Sequence, residues 1–320
     1  MIILWIAAFL AGAALIVWGA ETFAEHLGVA SVRLGVSTFA MALLLAGAEP
    51  EELATVIAAA LKGAPGIALG DAIGANIAIC LVALGVGAIV APLPFRGAVM
   101  RYATLGLPIG AVAAWITWDG DVTRIQGALL VALYVVYVTT IWIVERRPPM
   151  LGETEEIEEA RKKAAKGGGA ERKMGREFAL VFAGVAAMAF GGWLLVEAVI
   201  QITGVEETQT KLGLTLVGFA TGFELVVLAW STSRRGASEA AVAGVVGSFA
   251  YNMTMTLGAG ALVRPLTIGN AVLLHAPLLI MLGALSMPIL LALPSGSLRR
   301  PTGAVLLIAY AGFIALTLAS

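Results

Sequence analysis

Seven oxygen-bearing side chains stand inside stretches that are otherwise apolar. Glu49, Glu51 and Glu52 interrupt LLLAGAEPEELATVIAAA, and Asp71 interrupts GIALGDAIGANIA. Glu224 lies in LVGFATGFELVVLAW with no basic residue near it in sequence, and Ser248 and Asn252 follow four residues apart. That spacing puts the last two on one helix face. Carboxylate, hydroxyl and amide oxygens are hard ligands, suited to Ca²⁺, Mg²⁺, Na⁺ or protons rather than to soft metals. Gly47 and Pro50 flank the first acidic cluster. Proline removes a helix hydrogen bond and frees a carbonyl, so a helix broken here would add backbone oxygens to the same set.

These residues have different alternatives. Glu51 and Glu52 are neighbours about 100° apart on a helix, so both cannot aim at one ion. Glu49 is suited either to ligation or to the aqueous mouth of the break, and Asp71 either to ligation or to orienting a helix break. Ser248 and Asn252 are also the residue types that join membrane helices by hydrogen bonds. Glu21, Glu25 and Glu197 lie near the ends of apolar runs, where interfacial solvation is expected; His26 reads as interfacial and His275 as packed.

What must position these groups is a bundle of apolar helices. Of 320 residues, 60% are hydrophobic and 13% charged, against about 25% charged in a soluble domain. Such a chain fits a bilayer. Runs near the roughly 20 residues needed to span fall at 2–20, 37–61, 66–91, 99–118, 124–144, 178–201, 212–233, 239–263, 269–292 and 302–319, which predicts an all-α polytopic protein with ten transmembrane helices. The N-terminal run carries no basic leader and reads as the first span rather than a signal peptide. Residues 146–177 are acidic and then basic around a glycine run, and read as a solvated, partly helical linker.

With ten spans, 16 of the 20 Lys and Arg residues fall on one side of the membrane and 4 on the other, the latter being Lys62, Arg124, Lys211 and Arg264. The positive-inside rule then places both termini outside and the 146–177 loop in the cytoplasm of a multi-pass cell-membrane protein. The linker divides the spans five and five, as 1–145 and 178–320. An odd number per half makes related halves inverted repeats. Glu25 precedes Glu52 by the same interval as Glu197 precedes Glu224, and Gly70-Asp-Ala-Ile-Gly-Ala75 parallels Ala243-Gly-Val-Val-Gly-Ser248. HExxH, GxSxG and GxxxxGK[ST] are absent, so no enzyme is expected. One cysteine and two histidines argue against a zinc site.

The pattern resembles the calcium/cation antiporter superfamily, the sodium/calcium exchangers and their prokaryotic relatives. Each half of that family carries a motif like GTSLPE followed by GN-x-x-GS. The first version here reads Gly47-Ala-Glu-Pro-Glu-Glu52 and then Gly70-Asp-Ala-Ile-Gly-Ala-Asn76; the second reads Ala220-Thr-Gly-Phe-Glu224 and then Gly244-Val-Val-Gly-Ser248, with Asn252 beyond. The resemblance implies two inverted five-helix repeats and a central cation site. Its glutamates would be Glu224 and either Glu51, favoured by the Pro-Glu pair, or Glu52, favoured by the repeat spacing. It adds Thr221, and it places the family's hydroxyl on Ser248 and its acid or amide on Asn252. Ala75 and Ile79 cannot ligate, while Glu49 and Asp71 are additional acids.

The resemblance implies secondary antiport of Ca²⁺ or another divalent cation against Na⁺ or H⁺ by alternating access. The lost neutral ligands favour H⁺. A site too degenerate to transport would leave a membrane scaffold or sensor as the alternative. Expected partners are inorganic cations and the lipid bilayer, with no nucleic acid and no cofactor.

Overall fold

The computed structural model describes residues 2–33, 49–145, 170–235 and 238–319. Helix α1 (Ile2–Arg33) is followed by α2 (Pro50–Lys62). Next, α3 (Pro65–Ala78) continues through a π-helical turn, Ile79–Ala83, into α4 (Leu84–Val90). Strand β1 (Leu93–Pro94), α5 (Gly97–Ile116), β2 (Asp121–Val122) and α6 (Arg124–Glu145) complete the first half.

The second half opens with α7 (Ala170–Thr203). It continues with α8 (Glu206–Leu212), a π turn at Gly213–Val217, α9 (Gly218–Thr221) and α10 (Phe223–Arg234). Helix α11 (Ser238–Tyr251), a third π turn (Asn252–Thr256) and α12 (Leu257–Val263) follow. Strand β3 (Leu266–Thr267), α13 (Val272–Ala292), β4 (Ser297–Leu298) and α14 (Arg300–Ala319) close the chain.

Among the described residues, seven helices are long and apolar enough to cross a membrane. Helices cover each apolar run noted above, the second from Pro50 onward because Gly47 and the rest of 34–48 lie outside the described residues. Two boundaries differ from expectation. The first helix runs on to Arg33, so His26 is helical; its Nδ1 lies 2.6 Å from Glu177 Oε2 of α7. Helix α7 begins at Ala170, inside the segment read as linker; AERKM and the Arg-Glu pair after Gly175 are good helix formers that extend the apolar helix.

Contacts between the first and second halves come in matched pairs. Gly85 and Gly303 bring α4 and α14 together, and Gly127 and Gly258 do the same for α6 and α12. One fixed shift in numbering carries Gly85 to Gly258, and a second, nearly equal shift carries Gly127 to Gly303. The same two shifts relate the β1–β4 pair (Leu93 to Leu298) to the β3–β2 pair (Leu266 to Val122). They carry the hydrogen bond from Phe95 N to Gly296 O onto that from Ile268 N to Gly120 O. Arg300 Nε donates to Ile89 O as Arg124 Nε donates to Leu262 O. The first of the shifts also carries the π turn that starts at Ile79 onto the one that starts at Asn252.

The long helices have defined directions. Gly12 and Gly19 of α1 meet Gly191 and Gly184 of α7, so these two run antiparallel in close contact. Gly66, Gly70 and Gly74 of α3 meet Thr210, Leu214 and Gly218 in turn, so α3 runs parallel to the α8–α9 segment. At one end of the bundle, Lys62 pairs with Glu197, Arg264 reaches Leu61 O, and Arg124 reaches Leu262 O. This is called the Lys62 end below. Arg96, which donates to Ser295 O, and Arg300 mark the opposite, Arg96 end.

Candidate cation site between the two halves

Glu49 is the non-helical residue before α2, Pro50 occupies the first turn, and Glu51 and Glu52 follow in it. Proline suits this place because its missing N–H would be unsatisfied there anyway, and carboxylates are favoured where helix N–H groups are free. The second half breaks its helix at Gly222, between α9 and α10, leaving Thr221 before the break and Glu224 in the first turn after it.

The helices bring most of the expected residues together. Glu49 Oε2 accepts a hydrogen bond of 2.8 Å from Asn252 Nδ2, and Ser248 stands beside the same carboxylate. Thr221 Oγ1 donates to Asp71 Oδ1 over 2.8 Å. Glu52 is fully buried, and the charged groups acting on it are Glu49, Asp71 and Glu51, all acids. Glu51 is buried beside it. Glu224 is half-buried at the start of α10.

Each side chain that is anchored also keeps an oxygen back. Among the described residues, Glu49 Oε1, Asp71 Oδ2, Asn252 Oδ1 and both carboxylate oxygens of Glu52 are buried without a hydrogen-bond partner. An unsatisfied buried polar atom costs about 1–3 kcal/mol, and an uncompensated charge costs more. Five such oxygens from four residues make a cluster whose cost a cation, protons or bound water would recover. No group of three or more His, Cys, Asp or Glu side chains among the described residues is set to hold a metal by itself. The π turn that begins at Asn252 is in keeping with a site here, since such turns frequently occur at functional sites.

Sequence reasoning passed over Asn76. It is fully buried, donates from Nδ2 to Phe249 O at 3.3 Å, and leaves Oδ1 without a partner. The signal was a lone amide in the apolar run that follows Asp71.

The fold and the site meet in the comparisons with known proteins. A family model described as "Sodium/calcium exchanger protein" matches residues 4–143 and 177–319. The chain belongs to the sodium/calcium exchanger family. The sodium/calcium exchanger MaX1 of Methanosarcina acetivorans is 25% identical, over 95% of this chain and 96% of that protein. The putative antiporter CaxA of Alkalimonas amylolytica is 24% identical, over 93% and 91%. Among solved structures, the sodium-calcium exchanger NCX_Mj, soaked with 2.5 mM Na⁺ and 10 mM Sr²⁺, superposes with a TM-score of 0.63 at 22% identity, over 98% of this chain and 99% of that one. At that identity the likeness is one of fold. The apolar helices and the family together make this a multi-pass membrane protein.

Proposed function

We propose that this chain is a secondary antiporter, exchanging Ca²⁺ or another divalent cation against Na⁺ or H⁺ by alternating access. The observation that carries the reading is the set of buried, unpartnered oxygens on Glu49, Glu52, Asp71 and Asn252, contributed by both halves. Thr221 and Ser248 anchor two of these groups, Glu51 stands beside the set, and Glu224 lies in the first turn after the second helix break. Glu52 is preferred over Glu51 as the central ligand because it is fully buried with both oxygens unsatisfied. Acids outnumber neutral donors in the first half, where multiple carboxylates suit a divalent ion better than a lone Na⁺.

The architecture goes with this reading as ten spans in two inverted five-helix repeats, 1–145 and 178–320, joined by 146–177. The contacts matched by the two constant numbering shifts support it. The termini are assigned to the outside and the 146–177 loop to the cytoplasm. In support, three of the four cations on the sparse side of the basic split, Lys62, Arg124 and Arg264, meet at one end of the bundle. The deciding experiment is uptake of radiolabelled Ca²⁺ into proteoliposomes under imposed Na⁺ or H⁺ gradients. Gradient-driven uptake is expected. No exchange of Ca²⁺, Mg²⁺ or Mn²⁺ under either gradient would leave the scaffold or sensor reading in its place.

A further inference from the structure

The Lys62 end contains a cluster that the cation site does not use. Lys62, the last residue of α2, places Nζ 2.5 Å from Glu197 Oε2 on α7. Gln201 Nε2 donates to the other oxygen, Oε1, over 2.8 Å. The same ammonium sits 3.8 Å from the centroid of the Trp193 ring, one helical turn before Glu197. Both charged side chains are largely withdrawn from solvent, at 13% and 22% exposure. An ion pair so placed, with an aromatic face beneath the cation, is worth more than an exposed one.

Its position decides what it can do. Helices α1 and α7 form one unit, held by close glycine contacts along their length and by the His26–Glu177 contact toward the opposite end. That unit lies against α2, the helix whose first turn carries Glu49, Glu51 and Glu52. At one point of the plane between them the backbones come close: a Cβ added at Gly192 of α7 would lie 3.1 Å from the backbone of Thr55. Lys62 and Glu197 cross that plane at its outer edge. Helix α2 rises 1.5 Å per residue, which puts the pair roughly 20 Å from Glu49.

We infer that the Lys62–Glu197 pair, seated on Trp193, is a latch that holds α7 against α2 and keeps solvent from Thr55 between them. Separating α7 from α2 breaks the pair, and re-forming it closes the two helices again. The role in transport rests on the alternating-access reading; the latch itself does not.

The test uses full-length protein carrying Cys80→Ala and Thr55→Cys, in nanodiscs, with a polar thiol reagent. Thr55 is fully buried under Gly192. Lys62→Glu or Glu197→Lys is expected to raise the labelling rate of the introduced cysteine by about threefold to tenfold. The double swap, Lys62→Glu with Glu197→Lys, should return it near the parent rate. Lys62→Gln serves if a reversal fails to fold, and should give a smaller rise. Equal labelling in all variants, whether fast or absent, or single-variant rates that the swap leaves unrestored, would overturn the latch. Labelling needs no ion movement, so this outcome is separate from any failure of Ca²⁺ exchange.

Discussion

Asn252 on the third π turn hands its side-chain amide to Glu49, at the mouth of α2, across 2.8 Å and 203 residues of sequence. The bond leaves Asn252 Oδ1 and Glu49 Oε1 buried without a hydrogen-bond partner. A neutral donor from one half thus sets the orientation of an acid from the other.

Asn252→Ala removes that donor and one ligand oxygen together. Hydrogen bonds to charged groups contribute about 1.5–3 kcal/mol, and about 1.4 kcal/mol is tenfold in affinity. The apparent KM for Ca²⁺ is expected to rise roughly tenfold to a hundredfold, as read from proteoliposome uptake. An unchanged KM would remove Asn252 from the site.

The two adjacent glutamates should separate in the same assay. Glu52→Gln is expected to abolish divalent flux, and Glu51→Gln to leave a measurable fraction of it. Glu224→Gln should also stop flux while the protein still elutes as a monodisperse peak, since the amide keeps shape and removes charge. Parent-like transport in Glu224→Gln would strike that residue from the mechanism.

Much of this site was legible because charge in an apolar helix is expensive and therefore conspicuous. Glu49, Glu52, Asp71, Ser248 and Asn252 stood out one by one, and in the structure they are neighbours. What could not be read was which oxygen of each is anchored, because that depends on contacts such as Thr221 to Asp71, across 150 residues of sequence. Glu197 illustrates the reverse case. Near the end of an apolar run it looked merely solvated, yet Lys62, 135 residues away, makes it half of an ion pair. The helices followed from length and composition. The close crossing of α3 over the α8–α9 segment did not, since glycines are frequent throughout the chain.

That crossing makes a stability prediction. A Cβ at Gly74 would run into the backbone of Leu214, which cannot swing aside. Gly74→Ala should lower stability by about 1–3 kcal/mol in a detergent melt. Gly283→Ala, in a helix with open space around it, should be neutral or gain up to about 1 kcal/mol. Equal melting temperatures for the two variants would contradict the close packing.

The orientation is open to cysteine labelling in intact cells. In a Cys80→Ala background, Gly168→Cys should resist an impermeant reagent and Ser320→Cys should react. Labelling of Gly168→Cys from outside would reverse the assignment.

The coupling ion is the last expectation, and it follows from where the acids stand. Ala48, Ala75 and Ile79 offer no side-chain oxygen in the first half, whereas Glu49 and Asp71 bring carboxylates. Na⁺ is held well by neutral oxygens that do not titrate; clustered carboxylates that cannot all remain charged in a dry pocket can exchange a metal ion for protons. Asp71 and Glu49 each have one oxygen fixed by a neutral donor, and the groups acting on Glu52 supply no positive charge. When the divalent ion leaves, proton uptake is the route by which this cluster avoids bare buried charge. When the ion returns, those protons are released, which is an exchange step. The sign follows: lowering pH on the side facing the site should weaken Ca²⁺ binding, and raising it should strengthen binding until the acids are fully ionised. Ca²⁺ efflux from proteoliposomes is therefore expected to run under an inward proton gradient without Na⁺, and to slow when the pH gradient is collapsed. Robust efflux driven by Na⁺ alone at constant pH would show that backbone carbonyls and the remaining hydroxyls build Na⁺ sites after all, and that protons are not the coupling ion.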